Sequence, residues 1–393
     1  MNKLNLPLGY GRQSIDETDR QAVLAVLNSG FLTQGPAVED FEAALAKRLG
    51  VKHVVAVANG TAALHIACIA GGLKAGDVAV TSTLTFVATA NAPHYCGAKS
   101  YLLDIDADHG GMSESALGGF LAKHPECKVV LPIHFAGLAG NIKAIREISG
   151  DRIVIEDACH ALGGTYENGR PVGCCCHSDM TVFSFHPVKP ITTAEGGAIT
   201  TNDDKLAKHL RMLRSHGIEQ SQDHFVKTNE ADIGPWSYEQ QLLGFNYRMS
   251  DLQAALGVSQ LNRLDTFRDR RREISTTYDE YFKDVPHVVS YQCAPDQRAR
   301  SGLHLYVVLI DFDAIEMTRT QVMLALREKG IGTQVHYIPV HRQPYHVEHG
   351  NFKNEDFPVA EQRYNSFLSI PLFPSMSDLD VKYVCDQISS VLN

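Results

Sequence analysis

The stretch Thr181-Val-Phe-Ser-Phe-His-Pro-Val-Lys189-Pro-Ile-Thr-Thr-Ala-Glu-Gly-Gly197 places one lysine in a proline-flanked turn between two β-rich runs. A lysine there is held at a fixed point above a sheet edge, as an amine must be if it is to form and break a Schiff base. Upstream, Ile153-Val-Ile-Glu-Asp157 has the pattern of a buried strand whose last residue is a carboxylate. Together, an amine to hold an aldehyde and an aspartate to keep a pyridinium nitrogen protonated are the minimal requirement for pyridoxal 5'-phosphate.

Other segments are suited to the remaining parts of such a ligand. Val54-Val-Ala-Val-Ala-Asn59-Gly60-Thr61 reads as strand, tight turn and helix start. Free N–H groups and the positive dipole end at a helix N-terminus favour an anion such as a phosphate. The same turn is also what an ordinary strand-to-helix connection capped by Asn or Thr looks like. Gly-x-Gly-x-x-Gly is absent, and no lysine follows the glycine as a P-loop requires. Phe86 follows the next strand and has two readings, a ring stacked on a planar ligand or a core phenylalanine. Asp157 could equally cap a short helix over Ala158–Leu162, and His160, one turn on, could face the same ring or sit in the core.

The elements that must position these residues alternate. β-rich runs fall at His53–Val57, Val78–Thr81, Lys99–Leu103, Lys128–Leu131 and Arg152–Ile155, with helical patterns between them at Thr61–Ala70, Thr85–Cys96, Ser113–Lys123 and Ile142–Ser149. Repeated β-α-β units predict a mostly parallel sheet covered by helices, with ligands at the carboxyl ends of its strands. Ahead of them, Ser14-Ile-Asp-Glu17 reads as a capping box for a helix with an apolar face of Val23, Leu24, Val26 and Leu27. A second helix is expected from Pro36 to Leu49, buried through Phe41, Leu45 and Leu49 and stopped by Gly50. Ser250-Asp251 should cap a long helix to about Tyr281, leading to a strand at Leu303–Ile310, a helix at Thr318–Lys329 and a strand at Gly332–Tyr337. Gln220–Trp236 is polar and reads as a surface loop or lid. The expectation is a large domain over residues 1–260 and a smaller C-terminal one over 261–393.

Composition narrows the function. A chain of 393 residues with 44% hydrophobic and 21% charged residues can bury an ample core. A net charge of −9 provides no polycationic surface for nucleic acid. Neither a signal peptide nor a membrane span is expected. The nine cysteines are an odd, scattered count apart from Cys174-Cys175-Cys176, and read as reduced thiols in the cytoplasm. His336, His341, His346 and His349 crowd one segment but match no metal-ligand spacing, so no metal is expected.

The segments, in order, resemble the DegT/DnrJ sugar aminotransferases, pyridoxal phosphate enzymes of the aspartate-aminotransferase-like fold type I. The resemblance runs along nearly the whole chain: Gly30-Phe-Leu-Thr-Gln-Gly35, Asn59-Gly-Thr-Ala-Ala-Leu-His65, Thr85-Phe-Val-Ala-Thr-Ala-Asn91, Glu156-Asp-Ala-Cys-His-Ala161, the lysine turn, Arg214-Ser-His-Gly217, Gly244-Phe-Asn-Tyr-Arg-Met-Ser-Asp251 and Ser369-Ile-Pro-Leu-Phe373. It implies an α/β fold and a Schiff-base role for Lys189. Asp157 would meet the pyridine nitrogen, Phe86 would stack on the ring and His160 would lie near its phenolic oxygen. Gly60, Thr61 and Ser184 would hold the phosphate, and Asn246 would reach the cofactor of the other subunit in a homodimer with shared sites. Tyr10, Gly30, Phe31, Leu32, Thr33, Gln334, Val335, His336 and Tyr337 would line a nucleotide-sugar site.

Within the family the lysine turn and His336-Tyr-Ile-Pro-Val-His341 look most like members of pseudaminic acid biosynthesis. The implied donor is L-glutamate, and the implied acceptor a UDP-linked 4-keto-6-deoxy-N-acetyl-hexose aminated at C4. The alternatives are a dTDP- or GDP-linked keto-sugar, or a non-catalytic nucleotide-sugar-binding relative. A cysteine desulfurase using Cys174–Cys176 fits the surrounding motifs less well than small cysteines that pack.

Overall fold

The computed structural model describes residues 4–226, 234–350 and 352–392. Its main body is a seven-stranded sheet in the order β1-β7-β6-β5-β4-β2-β3. The strands are β1 (His53–Val57), β2 (Val78–Ser82), β3 (Lys99–Leu103), β4 (Cys127–Leu131), β5 (Ile153–Asp157), β6 (Met180–Ser184) and β7 (Gly197–Thr201). All are mutually parallel except β7, which runs antiparallel to both β1 and β6. That single reversal follows from the chain returning directly through the lysine loop, residues 185–196, rather than through a crossover helix. Parallel strands need burial on both faces, and β1, β2 and β7 are buried along almost their whole length.

The helices α1 (Glu17–Leu27), α2 (Pro36–Leu49), α3 (Gly60–Ala70), α4 (Val87–Tyr95), α5 (Glu114–Lys123), α6 (Ile142–Ser149) and α7 (Asp204–Arg214) cover the sheet or flank it. Helix α2 matches the expected bounds, with Phe41, Leu45 and Leu49 buried and Gly50 left-handed at its end (φ 65°). The start of α1 differs from expectation. Its cap is Asp16, which accepts from the N–H groups of Thr18 and Asp19, while Asp19 closes the box onto the Asp16 N–H. The expected apolar face does not bury either. Leu24 and Leu27 are exposed, and the buried residue of α1 is Asp19, which accepts from Ser259 and Gln260 and pairs with Arg263.

Those contacts also explain why the long helix after Ser250 is broken. Helices α8 (Asp251–Asn262) and α9 (Leu264–Phe282) meet at Arg263, whose guanidinium is drawn to Asp16, Asp19 and the Ser14 carbonyl. Ser250 caps α8 with Gln253 completing the box. Asp251 accepts from the N–H groups of Gly35 (2.8 Å) and Ala37 (3.0 Å), capping α2 from a distance.

The ends of the Gln220–Trp236 segment adjoin a two-residue ribbon, β8 (Ile218–Glu219) with β9 (Glu239–Gln240); its centre, 227–233, lies outside the described residues. A second sheet, β10 (Val288–Ser290), β11 (Tyr306–Ile310) and β12 (Phe367–Ile370), is antiparallel throughout. It shares a core with α9, with the helices Arg319–Glu328 and Asp378–Leu392, and with Leu8 from the start of the chain. The strand expected at Gly332–Tyr337 is instead an extended segment with single bridges, Leu8 to Ile331 and Gln334 to Ser369. The Gln334–Ser369 pair exchanges both backbone hydrogen bonds, after which His336 turns inward and bonds the Ser369 hydroxyl.

Candidate active site

The parallel strands release their carboxyl ends toward one cavity of about 1060 Å³. All but β3 contribute a turn: β1 gives Asn59–Thr61, β2 gives Thr85 and Phe86, β4 gives Ile133–Phe135, β5 gives Asp157, Cys159 and His160, and β6 gives Ser184 and the lysine loop. The opposite wall carries His304 before β11, His336 and Tyr337 from the extended segment, and Tyr10.

Lys189 is fixed from behind. Its N–H bonds the His186 carbonyl (2.9 Å), and Phe185 pins both sides of the loop by bonding the Gly196 carbonyl and accepting from Thr193. Burial lowers the pKa of the Lys189 amine from the usual lysine range, against a smaller opposing pull from Cys159 and Asp157. An amine with a depressed pKa spends more time in the neutral form that a nucleophile or proton carrier needs.

Asp157 ends β5, and the segment after it is not the helix over Ala158–Leu162 that a purely capping role for Asp157 would require. One carboxylate oxygen accepts from the Cys159 N–H (3.1 Å), the other from the Thr89 hydroxyl (2.6 Å). Its sequence neighbour Glu156 points the other way, fully buried, accepting from Tyr166, Ser178 and Thr181 and lying 2.6 Å from His134 Nε2. Strand alternation thus divides two adjacent carboxylates between the cavity and the core.

At the other end, α3 begins at Gly60 with Asn59 as its cap, accepting from the Ala62 N–H (2.8 Å). A Cβ on Gly60 would stand 2.9 Å from the Ser184 Cβ, and one on Gly197 would stand 2.5 Å from the Asn59 carbonyl oxygen. Bare glycines let β6, β7 and the α3 start converge into a narrow seat lined by backbone and by the hydroxyls of Thr61 and Ser184. Such a seat suits an anion.

The imidazoles are held neutral. Burial, reinforced by the Lys189 charge, lowers His160 well below its ordinary value and takes His336 to about 3. Burial, with His160 and Lys189 beside it, does the same to His304. Tyr337 is kept protonated chiefly by burial, and its hydroxyl lies 2.8 Å from His160 Nε2. Phe86 is 55% exposed and tilts toward Tyr337, ring centroids 5.9 Å apart, so its ring faces the cavity rather than the core.

Of the residues singled out from sequence, Tyr10, Gly60, Thr61, Phe86, Asp157, His160, Ser184, Lys189, His336 and Tyr337 converge on this cavity. Gly30, Phe31, Leu32, Thr33, Gln334, Val335 and Asn246 do not line it. Phe31 and Leu32 are exposed, and Asn246 bridges Ser215. Sequence reasoning missed Thr85, Thr89, Cys159, His304 and Tyr247. Only the Thr85/Thr89 pair, at i and i+4 beside Phe86, left a signal. Among the described residues no cluster of His, Cys, Asp or Glu could hold a metal ion, and no helix is long and apolar enough to cross a membrane. Of the four C-terminal histidines, His341 lies between Thr83 and Glu361, and His346 beside Asn91.

Comparison with known proteins gives concordant results. The profile of the DegT/DnrJ/EryC1/StrS aminotransferase family matches residues 13–389. The spore coat polysaccharide biosynthesis protein SpsC of Bacillus subtilis is 38% identical, over 100% of this chain and 99% of that protein. The UDP-4-amino-4,6-dideoxy-N-acetyl-beta-L-altrosamine transaminase of Campylobacter jejuni is 36% identical over 98% and 97%. Among solved structures, Helicobacter pylori PseC, an aminotransferase involved in the biosynthesis of pseudoaminic acid, superposes with a TM-score of 0.88. It shares 29% identity, with 98% of this chain and 99% of that one covered.

Proposed function

Because the chain belongs to the DegT/DnrJ/EryC1/StrS aminotransferase family and is a pyridoxal phosphate-dependent sugar aminotransferase, we propose that it moves an amino group from L-glutamate to C4 of a UDP-linked 4-keto-6-deoxy-N-acetyl-hexose. The observation that carries this reading is the convergence of Lys189, Asp157 and the Gly60–Ser184 seat on one cavity. They have the chemistry to hold, respectively, an aldehyde, a ring nitrogen and a phosphate.

When bound, pyridoxal phosphate supplies an electron-withdrawing ring that stabilises negative charge at the carbon losing its proton. The rest falls to the protein. The N-terminus of α3, with Thr61 and Ser184, would hold the phosphate. Phe86 would cover one face of the ring, and Asp157 would pair with its nitrogen. With the cofactor in place, the neutral amine of Lys189, favoured by burial, would be the base that accepts the proton leaving the donor's α-carbon. Neutral His160, His304 and His336 add no charge beside Lys189, and Tyr337 and Tyr10 line the cavity with them. With the keto-sugar bound, the protonated Lys189 amine would act as the acid and return a proton to sugar C4.

The reading includes a cytoplasmic homodimer with Asn246 directed to the partner's site. Supporting it are the free state of all nine cysteines, the position of Asn246 outside its own chain's cavity, and the exposed Leu24, Leu27, Phe31 and Leu32. The acceptor is supported by the likeness to the Campylobacter transaminase and to PseC.

The test is to incubate the cofactor-loaded protein with L-glutamate and UDP-, dTDP- or GDP-linked 4-keto-6-deoxy sugars and to identify products by mass and NMR. A C4-amino product from the UDP-N-acetyl sugar is expected, and formation only from a dTDP- or GDP-linked sugar would replace the proposed acceptor. Lys189→Ala should form no product from any sugar, and borohydride should not fix pyridoxal phosphate covalently to the chain at this position.

A further inference from the structure

Asp157 is served by a two-hydroxyl relay. Its Oδ2 lies 2.6 Å from the Thr89 hydroxyl, and the Thr89 hydroxyl lies 2.9 Å from that of Thr85. The direction follows from chemistry: an ionised carboxylate can only accept, so Thr89 donates to Asp157 and its own oxygen takes the proton of Thr85. Thr89 is fully buried and Thr85 is 3% exposed, so water does not compete for either bond. Chained hydrogen bonds of this kind strengthen one another in a low-dielectric setting. Both threonines also flank Phe86, which caps α4 without any side-chain hydrogen bond of its own. One turn of chain thus carries the aromatic wall and the group that orients the carboxylate.

We propose that Thr89, backed by Thr85, is a positioning residue that fixes the rotamer of Asp157 for the ring nitrogen of the cofactor. This rests on the reading of Asp157 given above. With Thr89 donating to one oxygen and the Cys159 N–H to the other, the carboxylate has little freedom to rotate. Hydrogen bonds to charged groups are among the strong ones, so losing this one should matter.

The experiment compares Thr89→Val, a near-isostere lacking the hydroxyl, with Thr89→Ser, which retains it. Equilibrium binding of pyridoxal phosphate and the pH titration of the visible absorption band are read for each, with melting temperature as the control for folding. Thr89→Val should weaken cofactor binding roughly 10- to 100-fold and shift the midpoint of the band by about one pH unit, and Thr89→Ser should stay near the parent on both. Parent-like binding and titration in Thr89→Val, or an equal defect in both variants, overturns the proposal. If Thr89→Val does not fold, Thr85→Val decides: a shift smaller than that of Asp157→Asn and in the same direction supports the relay, and no shift rejects it. Asp157→Asn is run in parallel. If it too leaves binding and spectrum unchanged, the fault lies with the reading of Asp157; a defect there with a normal Thr89→Val sinks the relay alone.

Discussion

The hydroxyl of Tyr337 meets His160 Nε2 across the cavity at 2.8 Å, joining the turn after β5 to a segment about half the chain away in sequence. Both groups are neutral at physiological pH, since burial drives their pKa values in opposite directions, His160 down and Tyr337 up. The bond therefore persists without bringing another charge beside Lys189.

Asp157→Asn keeps the shape of the side chain and removes its charge. Turnover should fall by at least about a hundredfold, with the melting temperature within a few degrees of the parent. Steady-state kinetics and calorimetry check this. An unfolded variant whose remaining folded fraction turns over normally would reduce Asp157 to a structural residue.

Gly60→Ala should weaken cofactor binding by about tenfold or more, since the new methyl group stands 2.9 Å from Ser184 Cβ at the anion seat. Adding Ser184→Ala does not remove that Cβ, so it should not restore affinity, whereas Ser184→Gly should do so in part. Equilibrium dialysis of the cofactor measures all three.

Acid should destabilise the protein earlier than carboxylate titration alone would. His160, His304 and His336 have folded pKa values below the unfolded value of about 6.5, that of His336 at about 3. Between those limits the unfolded chain binds more protons than the folded one, so stability is fully present above pH ~6.5 and is lost as pH falls. Each histidine in this regime contributes about 1.4 kcal/mol per pH unit. Urea melts at a series of pH values should show this slope, and His336→Asn should flatten it.

His341→Ala should destabilise the fold by about 2–4 kcal/mol. The buried ring lies 2.6 Å from Thr83 Oγ1 through Nδ1 and 2.8 Å from Glu361 through Nε2, and it stacks on Phe357. Thr83 leads into Thr85 and Phe86, so cofactor affinity should fall along with stability. Denaturant titration with and without cofactor separates the two effects.

The sequence made legible whatever depends on local pattern. The strand-turn-helix at Asn59–Gly60, the carboxylate ending β5 and the loop around Lys189 each declare themselves through strand periodicity, glycine and proline. Failures came where a distant partner overrode that pattern. Asp19 buries because Gln260 and Arg263 reach it, and the same pull on Arg263 splits a helix that periodicity would have run to Tyr281. His304 could not be found because a histidine before a strand gains its meaning only when His160 stands 4.5 Å away. Thr89 reads as an ordinary helical residue until Asp157 is placed beside it.

The first described residues have a particular dependence on the last part of the chain. Leu8 hydrogen-bonds between Gly330 and Gly332, Asn5 holds Asp380, and the carbonyl of Tyr10 accepts from Leu372. During synthesis this arm leaves the ribosome before the segments it docks on, and it has nowhere to seat until residues 330–380 have been delivered. The aromatic lid that Tyr10 lends to the pocket is therefore among the last pieces to seat, and a nascent enzyme stopped short of residue 372 would leave that flank open to water.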